Sequence, residues 1–173
     1  FSRNLPRYAA ARLAGTFVAG RGAGPGPLSL VDIDPPELPG PDWVRVRPRL
    51  AGICGSDLAT VDGRSSRYFE PIVSFPFVPG HEVVGDLDDG TRVVVEPVLG
   101  CATRGIEPPC DPCARGDLGN CERISHGHLE PGLQSGFCTD TGGGWSTLMV
   151  AHPSQLHTVP DDLSDEAAVM VEP

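Results

Sequence analysis

The chain has 173 residues with a formal net charge of −10, from 23 acidic and 13 basic residues, a length that suits one domain with a hydrophobic core. The acidic balance argues against a nucleic-acid backbone or an anionic membrane surface as partner. All 13 basic residues are arginine, and the lack of lysine excludes a Schiff-base mechanism and a phosphate-binding loop that depends on lysine.

The first third of the chain predicts strands separated by turns. Glycine and proline, 22 and 19 residues, are spread along the whole sequence, which favours short strands over a helical bundle. Strands are predicted at 11–18, 28–33 and 43–49. The glycine-rich segment 22–27 between the first two is predicted to be a loop, because its prolines exclude the helix that a dinucleotide-binding loop must open.

The remaining elements continue this pattern. Further strands are predicted at 82–86, at 92–96, whose apolar run indicates burial on both faces, and at 144–151. Short helices are predicted after Cys54 and after Ser164, where capping side chains precede apolar residues. The sequence therefore predicts a mainly β fold with a few short helices.

A first group of metal-binding residue types lies at the start of the predicted helix and before the strand at 82–86. Cys54 and His81 are separated by 27 positions, and Glu82 or a distant carboxylate could complete a zinc site that leaves room for a substrate. Ser56 offers a hydroxyl that could accept and pass on a proton, and Asp57 could hold an imidazole N–H.

A second, denser group follows at Cys101, Cys110, Cys113 and Cys121. Four thiolates can close a tetrahedral shell with no open position, as in a structural zinc site. Glu107 competes with Cys101 for the role of first ligand, although a thiolate suits an all-sulfur shell better. Disulfides are the alternative, but the two-residue gap between Cys110 and Cys113 is typical of metal ligands.

Four motifs occur in an order that matches a known family: Gly52-Ile53-Cys54-Gly55-Ser56-Asp57, then Pro79-Gly80-His81-Glu82, the cysteine group, and Val171-Glu172-Pro173. Together they resemble the N-terminal, GroES-like catalytic domain of the zinc-dependent medium-chain alcohol dehydrogenases, nearest to the polyol and glucose dehydrogenase branch. The resemblance implies a GroES-like, partly open β-barrel formed by residues 1–173, with a structural zinc lobe at 99–123. The family's nucleotide-binding Rossmann domain is not found in this chain.

The resemblance also implies roles for individual residues. Cys54 and His81 would bind a catalytic zinc, with Glu82 as a ligand directly or through water, and Glu172 would be the fourth protein ligand. Ser56 would begin the proton relay and Asp57 would orient a ligand. The structural zinc would be held by the four cysteines of the lobe, although the family's usual first position is occupied here by Glu107.

These roles imply an NAD- or NADP-dependent oxidoreductase that interconverts an alcohol, sugar or polyol and its carbonyl. The nucleotide-binding domain would be a missing partner, without which the chain is expected to be inactive. We expect a cytoplasmic protein, because no apolar run approaches the roughly 18 residues of a membrane span and no signal peptide is evident. The resemblance also implies a homo-oligomer when the protein is full length. The alternative is a zinc-stabilised GroES-like binding module without catalysis.

Overall fold

The computed structural model describes residues 1–65 and 70–172, so Pro173 of the predicted closing motif lies outside the described residues. Five antiparallel strands form one sheet in the order β4-β1-β2-β3-β5. The strands are β1 (Val44–Ala51), β2 (Val83–Leu87), β3 (Arg92–Val95), β4 (Met149–Ala151) and β5 (Leu156–Thr158). The α-helices of the described residues are α1 (Leu5–Phe17), α2 (Gly55–Val61), α3 (Asp111–Ala114) and α4 (Asp165–Val169). The sheet curls into a half-barrel, which confirms the predicted fold class.

The core lies on both faces of the central strands. One face packs a cluster made of Val46, Val83, Val93, Val95, Met149 and Ala151. The opposite face packs Val84 and Val94 against Ala168 and Val169 of α4. The prediction that residues 92–96 form a strand buried on both faces is therefore confirmed.

Antiparallel pairing of β1 with β2 decides where the functional residues meet. Ala51 at the end of β1 pairs with Val83 at the start of β2, and the Gly52 amide donates to the Glu82 carbonyl at 2.9 Å. The residues that follow β1 and those that precede β2 therefore lie at the same edge of the sheet. Cys54 continues from the first strand and His81 leads into the second.

Two of the predicted strands are wrong. Residues 11–18 fall almost wholly within α1, because the Asn4 side chain accepts from the Arg7 amide at the helix start and a run of alanines favours the helical backbone. Residues 28–33 form no strand. The predicted strand at 144–151 is confirmed only over β4, while the predicted helices after Cys54 and Ser164 are confirmed as α2 and α4.

The glycine-rich segment 22–27 is a loop, as predicted, except that residues 22 and 23 belong to a short 3-10 helix (Arg21–Ala23). The buried carboxylate of Asp62 holds the start of this segment. Asp62 accepts hydrogen bonds from the Gly20 amide at 2.9 Å and from the Gly22 amide at 3.0 Å. Among the described residues, no helix has the length and apolar character needed to cross a bilayer.

Candidate metal centres and the adjoining cavity

Cys54, His81 and Glu82 converge at the sheet edge where β1 ends and β2 begins. One ligand atom from each of the three lies within 4.8 Å of the others. Cys54 is half-buried, whereas His81 and Glu82 are buried, with 4% and 6% of their surfaces exposed. A thiolate, an imidazole and a carboxylate placed this close form a donor set that suits zinc.

Asp57 contacts this group from the first turn of α2. Its Oδ2 accepts from the Cys54 amide at 3.0 Å, and its Oδ1 lies 3.5 Å from Nδ1 of His81. Neither of the latter two atoms has a closer hydrogen-bond partner. With Nδ1 facing Asp57, the other ring nitrogen of His81 is left for a ligand.

The electrostatics of His81 reflect this arrangement. Burial by itself lowers the pKa of His81, but the carboxylate of Asp57, together with Cys54 and Glu172, raises that pKa to about 9. The imidazole is therefore surrounded by groups that favour a positive charge on the ring. A bound cation would occupy the same favourable field, so the residues present fit a metal ion.

Glu172 lies outside the group whose ligand atoms are within 4.8 Å, yet its charge acts on it. Burial raises the pKa of Glu172, His81 lowers it, and Glu82 raises it further. The structure therefore brings Glu172 into the electrostatic range of the site. Its predicted role as the fourth ligand stays a prediction.

Gly52 makes room for the Glu82 side chain. A Cβ atom at position 52 would lie 1.8 Å from Oε2 of Glu82, so the Glu82 carboxylate could not keep its present position next to any other residue. The Gly52 carbonyl also accepts from Nε1 of Trp145 at 3.2 Å. Sequence reasoning included Gly52 in a motif but assigned it no role, because the clash is visible only once the two strands are paired.

A cavity of about 130 Å³ opens beside His81. Ser56 supplies a hydroxyl to its wall, Gln134 supplies an amide, and Val73, Leu133 and Phe137 supply apolar surface. Of these residues, sequence reasoning identified only Ser56. The other four come from two loops, at Val73 and at residues 133–137, and carry no motif that could have marked them.

The second group is a compact cluster of sulfur atoms. Sγ of Cys101 lies 3.6 Å from Sγ of Cys110 and 3.9 Å from Sγ of Cys121, and Cys113 completes the four within 4.8 Å. Glu107 is exposed and does not join them. The sulfurs are too far apart for disulfides, which need about 2.05 Å, and all six cysteines of the chain are free.

Backbone amides point at this cluster. The Cys110 amide donates to Sγ of Cys101, and the Arg123 amide donates to Sγ of Cys121, both at 3.4 Å. Amides of Cys113 and Glu122 lower the pKa of Cys110, while burial raises the pKa of Cys113. Four sulfurs with converging amides and no bonded partner fit a tetrahedral metal site.

The chain was compared with known proteins. Residues 40–161 match the model of the alcohol dehydrogenase GroES-like domain family. The starvation-sensing protein RspB of Escherichia coli strain K12 is 31% identical over 159 residues, which cover 86% of this chain and 40% of that protein. A sorbitol dehydrogenase of Arabidopsis thaliana is 30% identical over 159 residues, which cover 84% of this chain and 39% of the relative.

The chain is also similar to a solved alcohol dehydrogenase structure. The structure described as short chain alcohol dehydrogenase (rspB) from E. coli CFT073, complexed with cofactor NADH, is 28% identical with a TM-score of 0.61, covering 83% of this chain and 38% of that one. The chain thus spans about two fifths of the length of the relatives that it matches. The family match extends over most of the chain and includes both candidate metal centres, and the chain therefore belongs to the alcohol dehydrogenase GroES-like domain family.

Proposed function

We propose that this chain is the metal-binding catalytic domain of a zinc-dependent, NAD- or NADP-linked oxidoreductase that interconverts an alcohol, sugar or polyol and its carbonyl. The observation that carries the proposal is the convergence of Cys54, His81 and Glu82 beside a cavity whose wall contains the Ser56 hydroxyl. A site that only stabilised the fold would need no adjoining cavity. Similarity to a sorbitol dehydrogenase and to an NADH-bound structure supports the same reaction class.

Each residue of the site has a chemical role in this proposal. Cys54, His81 and Glu82 hold the catalytic zinc, with Glu172 as the fourth protein ligand, and zinc bound there supplies a Lewis acid for the substrate oxygen. Asp57 fixes the ring of His81 through Nδ1. Ser56 accepts the hydroxyl proton of the substrate and passes it on.

The cavity determines how the substrate lies. In this proposal, Val73, Leu133 and Phe137 of the cavity wall contact the carbon atoms of the substrate and keep water away from the carbon that loses hydride, and the Gln134 amide hydrogen-bonds a second oxygen. This division between an apolar wall and a few polar groups is typical of a site that binds a small molecule.

The hydride acceptor must come from elsewhere. Among residues 1–65 and 70–172, no glycine-rich turn opens a helix that could bind a pyrophosphate. We propose that a nucleotide-binding domain completes the enzyme and that this chain alone does not turn over. We also propose that the four cysteines hold a structural zinc, and that the complete enzyme is a cytoplasmic homo-oligomer.

Metal content tests the proposal. We expect two zinc ions per chain in the wild type and one in Cys54→Ser, because that change removes a ligand of the open site only. Cys138→Ala is the matched control, since Cys138 is free but lies outside both groups, and it should keep two ions. In a chain extended by the coding sequence that follows it, Cys54→Ala should abolish alcohol oxidation.

A non-catalytic binding module predicts a different result. One ion per chain in both the wild type and Cys54→Ser would mean that only the cysteine lobe binds metal. Alcohol oxidation that survived Cys54→Ala in the extended chain would equally refute the role assigned to Cys54.

A further inference from the structure

Arg104 is the bulkiest fully buried side chain of the described residues, with 0% of its surface exposed. Its guanidinium donates to backbone carbonyls: Nε to Leu99 at 2.9 Å, Nη1 to His126 at 3.1 Å and to Leu129 at 3.2 Å, and Nη2 to Gly132 at 2.7 Å. Longer contacts of 3.4 Å reach the Glu130 carbonyl. Within the described side chains, no carboxylate forms an ion pair with it.

The backbone of Arg104 joins the cysteine lobe to the loop at 126–132. Its amide donates to the Cys101 carbonyl at 3.1 Å, and its carbonyl accepts from the His128 amide at 3.3 Å. Gly127 has a φ of +89°, and a Cβ atom there would lie 2.4 Å from the Arg104 carbonyl oxygen. The loop is thus folded tightly around Arg104, and only glycine permits that approach.

The same loop leads directly into the cavity wall. Leu133 and Gln134, which line the cavity with Ser56, follow Gly132 in the chain. The Leu99 amide donates to the Leu133 carbonyl at 3.1 Å, while the guanidinium holds the carbonyls of both Leu99 and Gly132. Arg104 therefore holds together the two segments, at Leu99 and at Gly132, that meet at the base of this wall.

The charge of Arg104 calls for compensation, because a buried cation without a partner is costly. Carbonyl dipoles supply part of it. Burial lowers the pKa of Arg104, and Asp140 and the nearby cysteines oppose that shift. A divalent ion with four thiolates carries a net charge of −2, and Cys101 is only three residues away.

We propose that Arg104 is a positioning residue that couples the metal-loaded cysteine lobe to the wall of the catalytic cavity. Its positive charge offsets the charge of the thiolate shell, and its planar fork of donors fixes Leu133 and Gln134. The inference rests on the proposed function in its kinetic part only, since the link between the lobe and the loop exists whether or not the cavity binds an alcohol.

Two substitutions separate the fork from the charge. Arg104→Lys keeps the charge but loses the fork, so in the extended, zinc-loaded enzyme the KM for alcohol should rise about 10-fold while kcat changes less. Arg104→Gln also loses the charge, and a chelator should then remove the lobe ion about 10- to 100-fold faster. Arg115→Gln is the control, because Arg115 lies in the same lobe but is exposed and forms an ion pair with Asp117 at the surface.

The proposal is overturned if Arg104→Gln releases the lobe ion at the wild-type rate, or if Arg104→Lys leaves KM unchanged in an enzyme that turns over. If these variants do not fold, hydrogen exchange in a protein that keeps Arg104 tests the coupling instead. The Cys54→Ser variant is used because it is expected to bind only the lobe ion, so a chelator removes that ion alone. Amide hydrogen exchange is measured before and after the chelator is added.

Amides at 129–134 should then exchange at least about 10-fold faster together with those at 101–121, whereas β2 serves as an unaffected reference. Acceleration confined to 101–121 contradicts the coupling. Because exchange does not depend on turnover, this outcome is distinct from a failure of the proposed oxidoreductase function, which would appear as absent activity with the coupled exchange intact.

Discussion

The two candidate metal centres differ in how the chain builds them. The four cysteines of the lobe lie within residues 101–121 and enclose their centre with sulfur on all sides. The ligands of the open site come from the end of β1, the start of β2 and, as proposed, from Glu172 near the end of the chain. One centre is local in sequence and closed; the other depends on the whole fold and adjoins a cavity.

This difference predicts different consequences of losing the metal. The lobe has little apolar material of its own, so its ion replaces a hydrophobic core and contributes directly to folding. The open site stands on a sheet that is packed on both faces, so its ion is needed for chemistry rather than for the fold. Substitutions at the two centres should therefore separate stability from activity.

The largest expected effect on stability is that of Cys113→Ser. Removing one of four thiolates should release the lobe ion and lower the melting temperature by roughly 10 °C or more, since the metal's binding energy is folding energy. Thermal unfolding followed by circular dichroism measures the shift, and zinc analysis should show the open site still loaded.

Cys54→Ser provides the contrast, with an expected change in melting temperature of less than about 3 °C. An unchanged melting curve for Cys113→Ser would argue against a structural metal in the lobe. An equally large drop for Cys54→Ser would mean that both ions support the fold and that the comparison does not hold.

Gly52→Ala should act on the open site alone. The new methyl group would meet Oε2 of Glu82 at 1.8 Å, so the carboxylate must leave the position that it holds beside Cys54 and His81. We expect zinc affinity at this site to fall about 10- to 100-fold, with the lobe ion retained. Competition with a chromophoric chelator measures both ions separately.

Gly55→Ala is the matched control, because a Cβ atom at position 55 meets nothing within 4 Å. It lies closer in sequence to Cys54 than Gly52 does, yet zinc binding should not change. Equal losses in the two variants would indicate a general effect on α2 rather than displacement of Glu82.

The same contrast explains what could be predicted from the sequence. The lobe was predictable because its ligands are close in the chain, and Cys54 and His81 were recognisable within family motifs. Val73, Leu133 and Phe137 were not, since an apolar residue in a loop has no property that distinguishes a cavity wall from a core. Arg104 reads as a surface residue until its carbonyl partners are known.

Errors in the fold have a similar origin. The segment 11–18 has the apolar residues of a strand, but two features outside it decide in favour of α1. These are the Asn4 cap and the alanines that precede position 11 within the helix. The central strands were predicted correctly because their β-branched residues face packed neighbours on both sides, so local preference and tertiary packing agree.

The smallest expected effect concerns α4, which leads the chain towards Glu172. Asp165 at its first turn accepts from Arg49 at 2.8 Å and from Arg92 at 3.0 Å, and these arginines lower its pKa. A lowered carboxyl pKa gives stability that is present above the unfolded value of about 3.9 and is lost as the pH falls through the folded value.

Urea unfolding should therefore show Asp165→Asn slightly less stable than the wild type at pH 7, with the difference shrinking below pH 4. A gap that persisted or widened in acid would mean that the arginines do not act through this carboxylate. The predicted closing would mean that the ion pairs from β1 and β3 help to hold α4, which leads towards Glu172, against the sheet.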